Sequence, residues 1–159
     1  MAKKTPPKPE QPDLPSILKD FADCIRRSSL DLANPYAVVL ECGQFFPTQA
    51  KPKGIRWGKR KRCYENAYDL MSRNATFTYC EGYVLVGTAP IPCDHAWCID
   101  DAGNVVDNTL RDTAVAYFGI PFDMMWAMRR VIGGAESLVD ELLLMKKVPK
   151  TAIAKAYRK

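Results

Sequence analysis

A predicted β-hairpin in the second half of the chain constrains the fold more than any other feature of this sequence. Two short apolar strands enclose residues 100–104, which favour turns. With these residues as the loop, Ile99 faces Val105 and His95 lies diagonal to Asp107. His95 and Asp107 then share one face of the sheet, whereas a loop one residue shorter would place them on opposite faces.

Helical and strand patterns alternate along the rest of the chain. Apolar residues at helical spacing predict a first helix from near Asp13, and the short apolar run at residues 37–40 predicts a buried strand. The remaining predicted elements are a helix over Cys63–Arg73, strands over residues 77–86, 95–99 and 105–107, and helices over residues 124–132 and 135–147. Antiparallel strands with helices on either side in sequence are an α+β pattern.

Composition predicts one domain with a tail at each end. Residues 1–12 are rich in proline and lysine, which predicts a disordered tail, and residues 151–159 predict a basic C-terminal tail. The segment between them, residues 13–150, is expected to form a single domain. Hydrophobic residues at 47% and charged residues at 26% are ordinary for a globular protein.

Targeting signals are not evident. No apolar run approaches the roughly 18 residues of a membrane-spanning helix, and the lysine-containing start lacks the apolar region of a signal peptide. We therefore expect a cytoplasmic protein without membrane contact, whose cysteines are reduced thiols. The net charge of +5 permits an anionic partner without requiring one.

Three residues in the order Cys63, His95 and Asp107 indicate chemistry. A nucleophilic thiol needs a base to accept its proton, and that base needs a third group to fix its tautomer. His95 is the only histidine in the chain, so cysteine–histidine chemistry within one chain has no other base.

The magnitudes show which contact this hypothesis depends on. A free thiol has a pKa near 8.5, and reactive cysteines reach roughly 3.5–7.5. A helix N-terminus supplies about 0.3–1 kcal/mol, less than the roughly 1.4 kcal/mol of one pKa unit, and salt screens the lysines and arginines nearby. Activation of Cys63 therefore requires contact with the His95 imidazolium.

Three segments carry a resemblance to a known superfamily. RCYENAYDLM (62–71), YCEGYVLVG (79–87) and HAWCIDDAGNVVDNTL (95–110) resemble the core of transglutaminase-like/papain-like cysteine enzymes. In that pattern a cysteine begins a helix, His-x-Trp lies on a strand, and Asp-x-Thr follows a short hairpin. This sequence departs from it at Asn108, where the family commonly has proline. The stretch at residues 117–122 also resembles a segment of small bacterial and phage proteins.

The resemblance implies a nucleophile-bearing helix packed on a small antiparallel sheet, with C-terminal helices and no cofactor. It makes Cys63 the nucleophile, His95 the base and then the acid, and Asp107 the orienting carboxylate. The substrate would be a peptide, a protein or another acyl compound. The backbone N–H of Cys63 and one further donor would bind the oxyanion. Candidates for that donor or for supporting hydrogen bonds are Trp57, Gln44, Gln49, Asn66 and Glu81.

A basic loop just before Cys63 offers an alternative function. Seven positive charges fall within twelve residues, together with Trp57. They are Lys51, Lys53, Arg56, Lys59, Arg60, Lys61 and Arg62. A non-enzymatic module of the same fold could use this loop to bind nucleic acid or another acidic partner, and an enzyme could use it to attract an acidic substrate.

Zinc binding is the third interpretation. Cys93, His95 and Cys98 are suitable ligand types, but the chain contains no Cys-x-x-Cys pair, and these strand positions would not all face one ion. We therefore expect no metal.

Overall fold

The computed structural model describes residues 13–27, 34–87, 91–111, 114–145 and 147–158. Within these ranges, five helices pack against a curled five-stranded antiparallel sheet, so the fold class is α+β. The helices are α1 (Leu14–Arg27), α2 (Pro35–Cys42), α3 (Cys63–Arg73), α4 (Met124–Ile132) and α5 (Leu138–Leu143). The strands are β1 (Gln44–Phe46), β2 (Thr78–Val86), β3 (Cys93–Ile99), β4 (Val105–Val106) and β5 (Ala114–Pro121). None of the helices in these ranges is long and apolar enough to cross a membrane. The predicted tail at residues 1–12 lies outside the described residues.

The sheet has the strand order β1-β5-β2-β3-β4, with every neighbouring pair antiparallel. Strand β2 is central and is buried on both faces. Its residues Tyr79, Tyr83 and Leu85 belong to the main core beneath the helices. Cys80 and Val84 belong to a second, smaller cluster on the other face. The alternation of side chains across a strand therefore separates two apolar layers.

The predicted hairpin register is confirmed. Ile99 pairs with Val105, which leaves residues 100–104 as the loop. The Asp100 carboxylate stabilises this loop by accepting hydrogen bonds from the backbone N–H of Ala102 at 3.0 Å and of Asn104 at 2.8 Å. Such local carboxylate-to-backbone bonds are the reason that aspartate favours turns.

Two predicted helices also have the expected ends. Helix α3 occupies Cys63–Arg73. Helix α4 begins after Asp123, whose side chain accepts a hydrogen bond from the Trp126 N–H, and ends at Gly133. Both terminal signals of α4 are local, a carboxylate cap and a glycine.

The prediction of a strand at residues 37–40 is wrong, because these residues belong to helix α2. Asn34 caps this helix by accepting a hydrogen bond from the Ala37 N–H at 3.1 Å, and Pro35 stands at its first position. Val39 is the buried residue of this helix. A short apolar run does not distinguish a strand from a helix, and here the cap decided the outcome.

Strands β1 and β5 were not predicted. β5 contains most of the stretch at residues 117–122 and pairs with β1 on one side and β2 on the other. Gly119 of β5 pairs with Gly82 of β2, and a Cβ at Gly119 would lie 2.5 Å from Cη2 of Trp97. This glycine therefore leaves the space that the Trp97 ring occupies.

The C-terminal segments differ from the expectation in two ways. The helix predicted over residues 135–147 is shorter and occupies only Leu138–Leu143. Residues expected in a basic tail after residue 150 pack against the domain instead: Ala152 is fully buried, and Ile153 forms a β-bridge with Phe122. Two 3-10 turns, at Lys150–Ala152 and Lys155–Tyr157, form part of this segment.

A buried carboxylate on the sheet explains where α5 begins. Glu81 accepts hydrogen bonds from the backbone N–H groups of Leu138 and Val139 at 2.8–3.0 Å. It also accepts the hydroxyls of Tyr79 at 2.7 Å and Ser137 at 2.9 Å. Burial raises the pKa of Glu81, and these donors oppose that shift. Glu81 thus joins the central strand to a helix more than fifty residues later in the chain.

Replacing Glu81 by alanine should destabilise the fold. The substitution removes the acceptor of two buried backbone N–H groups and of the buried Tyr79 hydroxyl, and each such group costs about 1–3 kcal/mol. We expect Glu81→Ala to lower the free energy of unfolding by at least about 2 kcal/mol, measured by urea denaturation.

Glu136→Ala is the matched control, because Glu136 is an exposed carboxylate beside the Ser137 cap. We expect it to change the free energy of unfolding by no more than about 0.5 kcal/mol. Equal effects of the two substitutions would contradict the capping role of Glu81.

Candidate active site

Cys63 is the first residue of helix α3 and follows a turn with an unusual backbone conformation. Lys61 has a φ of 59°, the one left-handed non-glycine residue among those described. Arg62 stands at the N-cap without a side-chain cap hydrogen bond. The first N–H groups of a helix have no intrahelical partner, so the Cys63 side chain lies beside backbone donors that can bind it and beside the positive end of the helix dipole.

Asn66 fixes the loop before Cys63 against the segment after Asp107. Its side-chain oxygen accepts a hydrogen bond from the Lys59 N–H at 3.0 Å. Its side-chain nitrogen donates to the Lys59 carbonyl at 2.7 Å and to the Thr109 hydroxyl at 2.9 Å. A Cβ at Gly58 would lie 2.3 Å from Cγ of Asn66, so this position has no room for a side chain. Asn66 therefore supports the shape of the site.

His95 lies near the start of β3, on the face of the sheet that carries the smaller apolar cluster. Its ring is buried and stacks on that of Trp97, with centroids 6.2 Å apart and planes 15° apart. Its cross-strand neighbour on β2 is Gly82, which has no side chain to compete for space beside the ring. Neighbouring elements thus hold the imidazole in place.

Asp107 binds the ring and is itself held by four hydrogen bonds. His95 Nε2 lies 2.8 Å from Oδ2 of Asp107, the contact that the hairpin register predicted. The same oxygen accepts the Tyr117 hydroxyl at 2.8 Å. Oδ1 accepts the backbone N–H groups of Thr109 at 2.7 Å and Leu110 at 3.1 Å. A carboxylate with this many donors stays ionised and orients the imidazole.

Tyr117 is a site residue that the sequence analysis did not identify. It lies on β5, which was not predicted as a strand, and it reaches Asp107 across the sheet. Strand prediction for residues 114–121 would have placed it on the sheet, but no local signal pairs a tyrosine with a carboxylate ten residues earlier.

The Cys63 sulfur and the His95 ring lie close enough to change each other's ionisation. Burial opposes ionisation of the thiol, but a hydrogen bond to His95, the charge of that ring and backbone hydrogen bonds from Ala96 and Tyr64 together lower the pKa of Cys63. Burial likewise opposes protonation of the ring, but hydrogen bonds to Asp107 and Cys63 and their charges raise the pKa of His95 to about 9. Both shifts favour a thiolate beside an imidazolium.

The charge on Asp107 completes this arrangement. Burial opposes its ionisation, but the hydrogen bond to His95 and the charge of that ring, with the donors from Thr109 and Tyr117, lower its pKa. Because Asp107 uses Nε2 of the imidazole, Nδ1 is the ring nitrogen left for Cys63. Cys63, His95 and Asp107, here called the triad, thus lie together, and Cys63 is the most accessible of the three.

A cleft of about 440 Å³ contains Cys63 and His95. Its apolar lining comes from Val84, Val86 and Leu110. The remaining lining residues are Arg60, Lys61, Cys93, Asp94, Thr109 and Arg111. A larger cleft of about 820 Å³ lies on another side of α3 and is lined by none of the three triad residues.

The residues suggested as oxyanion donors or as supporting hydrogen-bond partners do not line the cleft of Cys63. Gln44 pairs with Gly119 on the far edge of the sheet, and the side chain of Gln49 donates to the Val105 carbonyl at 3.0 Å. Glu81 caps α5, as described above. Two cations lie over the Trp57 ring: Lys51 Nζ is 4.8 Å and Arg111 Cζ is 5.5 Å from its centroid.

The basic loop does not act as one uniform patch. Lys51 folds back onto the carbonyls of Pro52 and Ile55, and Arg62 pairs with Glu65. Lys53, Arg56 and Lys59 are exposed. Only Arg60 and Lys61 of the loop line the cleft that contains Cys63.

The residues considered as zinc ligands do not meet at one point. The Cys98 thiol is buried and donates to the Ala67 carbonyl at 3.2 Å, whereas Cys93 is exposed. Among the described residues, no group of three or more histidine, cysteine or acidic side chains is arranged to hold a metal ion.

Comparison with protein-family models, with curated proteins and with solved structures finds no match to this chain.

Thiol reactivity tests the effect of His95 on Cys63. We expect iodoacetamide to alkylate Cys63 at neutral pH faster than Cys24 and Cys93, although both of these thiols are more exposed. In His95→Ala the pKa of Cys63 should rise, so the pH profile of labelling moves to higher pH. At neutral pH the rate should fall by about tenfold, because the thiolate is the nucleophile. Peptide mass spectrometry over a pH series measures these rates.

Cys93 is the internal control, since it lines the same cleft without belonging to the triad. Its labelling should not depend on His95. Faster labelling of Cys93 than of Cys63, or a Cys63 profile unchanged in His95→Ala, would contradict the predicted activation.

Proposed function

We propose that this protein is a cysteine-dependent hydrolase or acyltransferase acting on an amide or ester bond. The observation that carries the proposal is that the Cys63 thiol shares a cleft with the imidazole of His95, which the buried carboxylate of Asp107 orients through a 2.8 Å contact. A nucleophile, its base and an orienting group are the parts that acyl transfer by a thiol requires.

In the first half-reaction, the Cys63 thiolate attacks the carbonyl carbon and forms a carbon–sulfur bond. The carbonyl electron pair moves to oxygen, and the Cys63 N–H at the start of α3 is placed to stabilise that negative charge. The intermediate then collapses, the bond to the leaving group breaks, and the His95 imidazolium gives that group its proton. A thioester on Cys63 and a neutral imidazole remain.

In the second half-reaction, the neutral imidazole accepts a proton from water or from an amine as that molecule attacks the thioester. The carbon–sulfur bond breaks, the thiolate returns, and the imidazolium is restored. Water gives hydrolysis, and an amine gives acyl transfer. Asp107 stays ionised throughout and keeps the ring in one orientation.

The same proposal includes the family to which the protein is related and the cellular compartment in which it works. A nucleophile at a helix start, a His-x-Trp strand and an aspartate after the hairpin support a relationship to transglutaminase-like/papain-like enzymes. We place the protein in a reducing, cytoplasmic setting, because a thiolate in an oxidising one is readily lost to disulfides or sulfur acids.

Binding of nucleic acid by the basic loop is less well supported by the arrangement of its side chains. Base stacking would need a free aromatic face, but the Trp57 ring is already contacted by Lys51 and Arg111. Two of the seven loop cations are also engaged in contacts within the protein, Lys51 with backbone carbonyls and Arg62 with Glu65.

Acylation by a small activated ester tests the proposal. We expect p-nitrophenyl acetate to release p-nitrophenol and to leave an acetyl group on Cys63, detected by intact and peptide mass spectrometry. Cys63→Ala should abolish both, and His95→Ala should lower the rate by about 10²–10⁴-fold, because general acid–base catalysis is lost.

Cys93→Ala is the control for accessible thiols in the cleft and should retain the reaction. Acetylation of several cysteines at similar rates, or no adduct on Cys63, would overturn the enzymatic proposal. Salt-sensitive binding to an oligonucleotide in the absence of an adduct would favour the binding module instead.

A further inference from the structure

We infer that the cleft of Cys63 selects substrates that carry a carboxylate close to the reactive carbonyl. The inference rests on the proposed function and adds the substrate class. Among the described residues, three cationic side chains line this cleft, Arg60, Lys61 and Arg111, and one carboxylate does, Asp94. Asp94 also accepts the Tyr64 hydroxyl at 3.3 Å, so it already has a partner.

Arg111 adds a positive charge to the cleft that is not one of the seven cations of the basic loop. It follows the hairpin rather than the basic loop, and its guanidinium lies over the Trp57 ring, 5.5 Å from the centroid. Lys51 lies over the same ring and is held by the Pro52 carbonyl at 3.4 Å. Trp57 is therefore a positioning residue for Arg111. A guanidinium held in this way loses less freedom when it binds a carboxylate.

The two loop cations reach the cleft because of the turn before α3. Lys61 adopts its left-handed conformation directly before the N-cap, and both Arg60 and Lys61 line the cleft. Within the described ranges, no ion pair joins Arg60, Lys61 or Arg111 to a carboxylate of the protein. All three residues are exposed, so a ligand in the cleft can reach their charges.

The apolar lining strengthens the effect of these charges. Val84 is buried, and Val86 and Leu110 are half-buried in the same cleft. Low-dielectric walls concentrate the field of cations placed around them. A substrate that fits this cleft has a short apolar segment next to its reactive carbonyl and a carboxylate at the end of that segment. The side chain of an acidic amino acid has this combination of an apolar stem and a terminal carboxylate.

Two esters of equal acyl length test the inference. They are the p-nitrophenyl monoester of adipic acid, which carries a carboxylate, and p-nitrophenyl hexanoate, which does not. We expect a higher kcat/KM for the anionic ester, expressed mainly through KM. Arg111→Gln should lower the ratio of the two kcat/KM values by about two- to fivefold, as expected for one exposed charge pair. Lys61→Gln should act in the same direction, and added salt should reduce the preference.

Lys53→Gln is the matched control, since Lys53 is an exposed lysine of the basic loop that does not line the cleft. It should leave the ratio unchanged. A preference for the neutral ester, or equal effects of Lys53→Gln and Arg111→Gln, would overturn the inference. Tight, salt-sensitive binding to an oligonucleotide that weakens equally in Lys53→Gln and Arg111→Gln would also overturn it. That result would mean that these cations bind a polyanion and not a small anionic substrate.

The two levels of the proposal fail separately. If p-nitrophenyl hexanoate acylates Cys63 and the ratio shows no preference for the anion, the substrate class is wrong and the enzymatic function stands. If neither ester leaves an adduct on Cys63, both are wrong.

Discussion

The 2.8 Å hydrogen bond between His95 Nε2 and Asp107 Oδ2 is the interaction on which the rest of the site depends. A buried imidazolium without an anionic partner would lose its proton, because burial lowers the pKa of a histidine. Asp107 reverses that tendency, and it does so because Tyr117 and two backbone N–H groups stabilise its own charge. The hairpin loop, with Asp100 bonded to its backbone, fixes the register that brings the two residues to one face.

Cys63 is brought to this pair by a different set of contacts. Helix α3 packs against β3, and Asn66 on that helix ties together the loop before Cys63 and the segment after Asp107. The same hydrogen bonds of Asn66 therefore position both Cys63 and the His95–Asp107 pair. A shift of the hairpin would also shift the basic loop. Rigid placement of this kind is what reactive groups need if they are to meet at hydrogen-bond distance.

The parts of the fold that the sequence predicted are those specified locally. Asp100 and Asp123 carry turn and cap chemistry within a few residues of the backbone that they bond, so the hairpin register and the start of α4 could be predicted. Residues 37–40 could not, because their apolar pattern fits either helix or strand and the Asn34 cap lies outside the run.

The supporting contacts of the site could not be predicted, because they join distant parts of the chain. Asn66 reaches Thr109, 43 residues later, and Glu81 reaches Leu138, 57 residues later. Neither periodicity nor turn chemistry reports on such pairs. The sequence suggested both residues as hydrogen-bond partners in the site, and only their positions in the fold show that Asn66 supports the loop while Glu81 belongs to α5.

The protonation state of His95 tests the central claim most directly. It is the only histidine in the chain, so heteronuclear NMR of imidazole nitrogens reports on this ring alone. We predict that both ring nitrogens carry a proton at neutral pH, that the ring titrates near pH 9, and that Cys63→Ala moves this titration to lower pH. A neutral ring at neutral pH, titrating near its ordinary value of about 6.5 and unaffected by Cys63→Ala, would contradict the account.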